Sequence, residues 1–200
     1  LDENSKIKPD APYSKSKYLA ERTLLRLADN DFHPVILRKG TIFGYSKKMR
    51  YDLVVNAFTK DAFSKRTLTV HAGGRMWRPM LGIDDAARAY HLAATAHPGK
   101  VKGQIFNVLD NNFRVIDIAH KVKESLLKNR RVRVKLDVQE VGTSRSYRVN
   151  GDKFKQILGF KPRAGIGKAA LKVWDDLKAG RDYDNPVYYT IKWMEKIKNW

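Results

Sequence analysis

The residues that most readily suggest chemistry are Tyr13 and Lys17, four apart in "PDAPYSKSKYLAERTLLRL" (9–27). At that spacing two side chains share a helix face, so phenol and ammonium can point into one pocket. A phenol is a poor base near neutrality, with an ordinary pKa of about 10. A fixed ammonium beside it favours the phenolate, which makes a tyrosine usable as a general acid/base. The spacing alone is not specific: the chain has nine tyrosines, and Tyr188 and Lys192 repeat it. Context separates the two pairs. Tyr13 follows Pro9-x-x-Pro12 and heads an amphipathic pattern, whereas Tyr188 has only a tail after it.

These residues need elements to position them. Pro12 suits the first position of a helix with Asp10 as cap, and Leu24, Leu25, Leu27 and Ala28 continue it to Asp29. "HPVILRKGTIFG" (33–44) reads as one buried strand entering a loop. Helices are predicted over 51–63, 84–96 and 115–127, and strands over 67–73 and 103–110. "RRVRVKLDV" (130–138) alternates basic and apolar residues, the pattern of a half-exposed strand with one basic face. "DKFKQILGF", "GIGKAALKVWDDLKAG" and the tail from Asn185 to Trp200 read as helices, with Gly159 and Gly180 as stops. Strands alternating with helices predict an α/β fold with parallel pairing.

Composition narrows the classes. At 42% hydrophobic and 10% aromatic the chain reads as globular, and no apolar run approaches the eighteen or so residues of a membrane span. Cysteine is absent, which excludes disulfides and thiolate chemistry and fits a reducing, cytoplasmic setting. The five histidines show no metal-ligand spacing, Asp84-Asp85 reads as a helix-start cap, and neither "GTSRS" nor "YSK" makes a nucleophile elbow. Lysine plus arginine outnumber aspartate plus glutamate by 40 to 21, a net charge of +19 that favours anionic partners. The opening "LDENSKIKPD" carries neither an initiator Met nor a signal pattern, so the natural start is expected upstream.

Five motifs in order carry a resemblance: "PDAPYSKSKYLAE", "VILRKGTIFGYSKKMRYDLVVNAF", "MWRPMLGIDDAARA", "GQIFNV" and "SRSYRVNGDKFKQILGFKP". The chain resembles the NAD-dependent nucleotide-sugar epimerase/dehydratase family, the extended short-chain dehydrogenases, from Pro9 to the tail. That likeness implies a partial Rossmann domain, a remnant of a doubly wound parallel sheet, joined to a small α/β substrate-binding domain. It puts residues 1–44 in the first and 45–200 mainly in the second, with strand 103–109 returning to the Rossmann sheet. A Gly-x-Gly-x-x-Gly turn is missing: "AGGR" (72–75) and "GIG" (165–167) do not fit it. The chain thus resembles the second half of such an enzyme, and the isolated 200 residues are expected to be inactive.

By this resemblance Tyr13 is the catalytic acid/base, and Lys17 supports it and hydrogen-bonds the nicotinamide ribose. Gly40 and Thr41 fall where the family contacts nicotinamide and sugar. Asn56 and Arg78 match residues that hold the nucleotide diphosphate, Arg145 is a second phosphate arginine, and Val70 falls where the base packs. The implied cofactor is NAD, with NADP left open, and the implied partner a nucleotide-diphosphate sugar. The longer protein is expected to form a homodimer. Gly82 stands where the family usually has His, and Lys47-Lys48 where it has Pro-Arg. Epimerase, dehydratase and reductase chemistry all remain open, with epimerase preferred. A competing reading is a basic nucleic-acid-binding module built on "KNRRVRVK" (128–135), with Arg131, Arg133 and Lys135 on one strand face. Poor aromatic interleaving and the lack of a nucleic-acid-binding motif count against it.

Overall fold

The computed structural model describes residues 1–142 and 145–198; Thr143 and Ser144 of "GTSRS" and Asn199 and Trp200 of the tail lie outside the described residues. In chain order the first elements are α1 (Pro12–Arg26), β1 (Ile36–Lys39), β2 (Thr41–Phe43), α2 (Val54–Lys65), β3 (Thr67–Val70) and β4 (Trp77–Gly82). Next come α3 (Ile83–Thr95), α4 (Pro98–Val101), β5 (Ile105–Val108), β6 (Asn111–Arg114) and α5 (Val115–Arg130). β7 (Lys135–Val138), α6 (Asp152–Leu158), α7 (Ile166–Lys178) and α8 (Thr190–Lys198) complete the order, with 3₁₀ turns at Ala72–Gly74 and Pro186–Tyr188. The protein is α/β, and among the described residues three of the four strand pairs are parallel.

The run expected as one strand over 33–44 is two. β1 pairs with β5, Ile36 opposite Ile105, while β2 pairs with β4, Thr41 opposite Met80. The switch happens at Gly40, whose N–H still donates to Val108 O at 2.9 Å. A side chain there would begin 3.0 Å from the Pro79 carbonyl oxygen, so glycine lets the chain pass against β4. β4 also pairs antiparallel with β6, Trp77 opposite Arg114. Neither β4 nor β6 is in the sequence reading.

Helix periodicity is followed closely in α7, where Ile166, Ala169, Ala170, Val173, Trp174 and Leu177 form the buried stripe of an amphipathic helix. It packs with α2 and α5 over Leu68 and Val70 in one core. A second core gathers Leu81, Phe106, Val108, Phe154 and Phe160 under α3 and β5. Gly159 and Gly180 follow the ends of α6 and α7 with positive φ, as their stop positions predicted.

The basic strand over 130–138 is corrected to Lys135–Val138. α5 runs on to Arg130, and Arg131 then adopts the left-handed conformation at φ 58°. The Val132 N–H reaches back to Leu126 O at 3.3 Å, the reversal of a Schellman-type stop. Arg131 and Arg133 therefore stand outside the strand that holds Lys135, and the continuous basic strand face does not form. The tail is likewise divided, with Tyr189 extended between the turn and α8.

The acidic positions act differently from their predicted capping. Ala11, not Asp10, caps α1, its N–H donating to Ser14 Oγ at 3.1 Å and its carbonyl accepting from that hydroxyl at 2.8 Å. Gly82 occupies the cap of α3, and neither Asp84 nor Asp85 caps it. Asp85 is buried and accepts from the backbone N–H of Arg163 at 2.9 Å and of Ala164 at 2.8 Å, and from the Arg88 guanidinium. It thereby pins residues 163–164 onto α3. That segment packs tightly against Gly82: a Cβ there would lie 2.3 Å from the Ala164 Cβ. We expect Gly82→Val to lower unfolding free energy by ~1–3 kcal/mol through overpacking. Urea denaturation measures this, and an unchanged midpoint would show that the contact can relax.

Candidate functional site

Tyr13 sits in the first turn of α1, where Pro12 occupies the first helical position. The helix buries none of its residues. What fixes it is an ion pair to the neighbouring strand: Arg38 of β1 donates Nε to Glu21 at 2.9 Å and Nη2 at 2.6 Å. These side chains are only 22% and 11% exposed, and two parallel bonds set the helix orientation as well as its distance. Tyr13 itself is 74% exposed, and Lys17 Nζ lies 5.6 Å from the centre of its ring.

Beside Tyr13 opens a cavity of about 600 Å³. Tyr13, Gly40, Thr41 and Asn56 all line it, so four of the eight residues singled out in the sequence meet on one concave surface. They arrive from α1, the β1–β2 crossing, β2 and α2. An adjoining cleft of about 480 Å³ holds Arg145 and shares Lys39, Gly40 and Tyr147 with the first.

Asn56 has partners within the chain. Its Oδ1 accepts from Gly44 N at 3.0 Å, and its Nδ2 donates to Gly44 O at 3.3 Å and Arg50 O at 3.2 Å. Buried to 3% exposure, it holds the loop from Gly44 to Arg50 in shape, the satisfied environment that a buried amide requires.

Arg78 does not line this cavity. Its Nη1 donates to Trp77 O at 2.9 Å and to the Arg145 carbonyl, so it supports the segment that carries Arg145 and Tyr147. The Arg145 guanidinium meets both Asp10 oxygens at 2.8 Å. Both side chains of that pair are about two-thirds exposed, 65% and 68%, so water screens it. Val70 is fully buried in the core with Leu68 and Ile118. Packing explains its presence, and its side chain offers no surface to a nucleotide base.

Among the lining residues given no role from the sequence alone are Lys39, Lys48, Arg50, Tyr147 and Thr190. Arg50 and Tyr147 stand within motifs already quoted, "MRYDLVVNAF" and "SRSYRV". Thr190 comes from the tail, where nothing local signals a site. Asp52 joins two of them, accepting from Arg50 Nε at 2.7 Å and from the Thr190 N–H at 3.1 Å. Burial pushes the Asp52 carboxyl upward, but the Arg50 and Thr190 hydrogen bonds outweigh it and hold it below the ordinary 3.8. Tyr51 beside it is buried, and desolvation drives its phenol well above the usual range. A lowered carboxyl contributes stability above its unfolded-state value and loses it as pH falls through the folded-state value. The Thr190 amide-proton shift, followed by NMR, should therefore titrate with a midpoint below 3.8. A midpoint at or above that value would contradict the pin.

Among the described residues no group of three or more histidines and carboxylates is placed to hold a metal ion, and no helix is long and apolar enough to cross a membrane. A family model described as the NAD dependent epimerase/dehydratase family matches residues 1–108. A trifunctional UDP-glucose 4,6-dehydratase/UDP-4-keto-6-deoxy-D-glucose 3,5-epimerase/UDP-4-keto-L-rhamnose-reductase of Arabidopsis thaliana is 26% identical over 191 residues, covering 94% of this chain and 27% of that protein. Among solved structures, the UDP-glucuronic acid 4-epimerase of Bacillus cereus with UDP-glucuronic acid and NAD aligns at TM-score 0.72 and 20% identity. The alignment covers 90% of this chain and 56% of that one. The dTDP-glucose 4,6-dehydratase of Bacillus anthracis with NAD aligns at TM-score 0.71 and 18% identity, over 92% and 58% of the two chains. A protein named RMD from Pseudomonas aeruginosa, complexed with NADPH, aligns at TM-score 0.72 and 18% identity, over 88% and 59%. This chain thus spans little more than half the length of these structures.

Proposed function

This chain belongs to the NAD-dependent epimerase/dehydratase family, and from that premise we propose that it forms the acid/base helix and nucleotide-sugar cavity of a longer NAD-dependent nucleotide-sugar epimerase. The observation that carries the reading is the convergence of Tyr13, Gly40, Thr41 and Asn56 on one cavity from four separate elements. In this reading residues 1–44 close a cofactor domain and residues 45–200 are mainly the sugar-nucleotide domain. The β1–β5 pairing supports the return of strand 103–109 to the cofactor sheet.

The residues present suit the reactive end of a nicotinamide dinucleotide. Tyr13 lines the cavity with Gly40, which offers only backbone, and Lys17 stands one turn further along α1 outside the lining, its Nζ 5.6 Å from the centre of the Tyr13 ring. NAD, or NADP, supplies hydride acceptance and return when bound. This chain handles the proton: Tyr13 takes it from the sugar hydroxyl as the carbinol carbon is oxidised and returns it on re-reduction, while Lys17 supplies positive charge beside the phenol. Thr41 and the Gly44–Arg50 loop, held by Asn56, orient the sugar, and binding of the remote nucleotide fixes the reacting carbon against Tyr13.

Epimerisation is the preferred reading of the family likeness, with dehydration, which calls for a further acid and base near the sugar, as the alternative. The homodimer expected of the longer protein would use α1, where Leu19 and Leu24 are 60% and 39% exposed.

Two measurements test the reading. In the full-length protein, Tyr13→Phe should lower turnover by about 10²–10⁴-fold and spare nucleotide-sugar binding; retained turnover refutes the acid/base assignment. Calorimetry on the 200-residue chain should show saturable heat with a UDP-sugar and none with NAD. Tight NAD binding would overturn the proposed division of labour between the two halves.

A further inference from the structure

We infer that Arg50 is a diphosphate-binding residue of the Tyr13 cavity and that the C-terminal segment, residues 181–190, is the element that holds it there. The inference rests on the nucleotide-sugar reading only for the origin of the diphosphate.

Arg50, Lys39 and Lys48 are the cations on the cavity lining. Arg50 alone among them is gripped by a carboxylate, through Nε at 2.7 Å and Nη2 at 3.0 Å to the two Asp52 oxygens. That fork leaves the Nη1 amino group without a protein acceptor among the described residues. A guanidinium fixed on one edge and open on the other is arranged for oxyanions, because its remaining donors are already oriented. The two arginines first expected to grip phosphate are placed otherwise: Arg78 bonds the Trp77 and Arg145 carbonyls, and Arg145 pairs with Asp10 on the adjoining cleft.

The grip on Arg50 depends on the tail. The Thr190 N–H donates to the same Asp52 oxygen that receives Arg50 Nη2, at 3.1 Å. On either side of Arg50 the loop is tied to the tail again. The Tyr51 N–H donates to Tyr188 O at 3.1 Å, and Arg181 Nη1 donates to Lys47 O at 3.1 Å and to the Tyr188 hydroxyl at 3.0 Å. Beneath these bonds the Tyr51 ring meets Tyr188 edge-on at 5.8 Å. Asn56 holds the Arg50 carbonyl from the opposite side. Thr190 itself reaches the cavity wall.

Calorimetric titration of the 200-residue chain with inorganic pyrophosphate, and separately with UDP-glucose, tests this. Arg50→Met should weaken pyrophosphate about tenfold or more, the scale of a charge-assisted hydrogen bond. Thr190→Pro removes the N–H at the first residue of α8, where proline is tolerated, behind an extended Tyr189 (φ −129°, ψ 109°) that suits the position before proline. It should weaken pyrophosphate by about three- to tenfold alone and by less than about twofold in the Arg50→Met background, since coupled residues are not additive. Asp52→Asn should act in the same direction, so the result does not hang on one variant. Wild-type affinity in both Thr190→Pro and Asp52→Asn, or equal losses with and without Arg50, overturns the inference. Arg50-dependent pyrophosphate binding without UDP-glucose binding keeps it and removes the nucleotide-sugar reading. UDP-glucose binding that ignores Arg50 does the reverse, and binding of neither ligand overturns both.

Discussion

At Gly40 the main chain passes from one sheet to another within a single residue, and a Cβ there would begin 3.0 Å from the Pro79 carbonyl oxygen, a closer approach than side chains ordinarily make. Everything placed at the cavity depends on that crossing. It leaves Arg38 on the β1 side to receive α1, and sets Thr41 and Phe43 on the β2 side against β4. Tyr13 and Asn56 then face one space although they belong to different packing units. Sterics at one atom thus bear on which residues line one cavity.

The two walls of the cavity are secured by different physics. On one side α1 contributes no buried residue and is oriented by a part-buried, two-bond ion pair. Such a pair gives direction at the expense of desolvating both charges. On the other side the loop from Gly44 to Asp52 is shaped by hydrogen bonds from a buried amide, by the Arg50–Asp52 pair and by a tail that brings tyrosines and Arg181 against it. Buried polar groups with their hydrogen bonds met make a stiff support, and Asn56 supplies it from the first turn of α2.

Much of this was legible in the residues. The apolar stripes of α5 and α7 announce helices, Tyr13 and Lys17 share a face, and glycines mark helix ends. The family likeness placed Tyr13, Gly40, Thr41 and Asn56 near one another before any coordinates. Other features were not readable locally. "WRPMLG" lacks strand alternation because Pro79, Met80 and Leu81 are all buried in a central strand. "RRVRV" has the right alternation but is interrupted by a left-handed Arg131, a backbone choice that its composition does not advertise. Val70 suits a binding surface and a core equally as a residue type, and only packing decides between them. Thr190 gains its place through Asp52, 138 residues away along the chain, beyond the reach of any short motif.

The parallel ladders have a kinetic consequence. β1 must find β5, β2 must find β4 and β3 must find β7, each across tens of residues. No hairpin can nucleate such pairings, so chain closure has to be completed before the strands reward it. The α5–α7 core can collapse around α2 and collect β3 and β7 as one unit. The β1–β5 pair, Ile36 to Ile105, closes over a span like that of β3 and β7, Thr67 to Lys135, but leans on a smaller cluster. The two walls of the cavity thus carry similar closure entropies and differ in the apolar packing that offsets them.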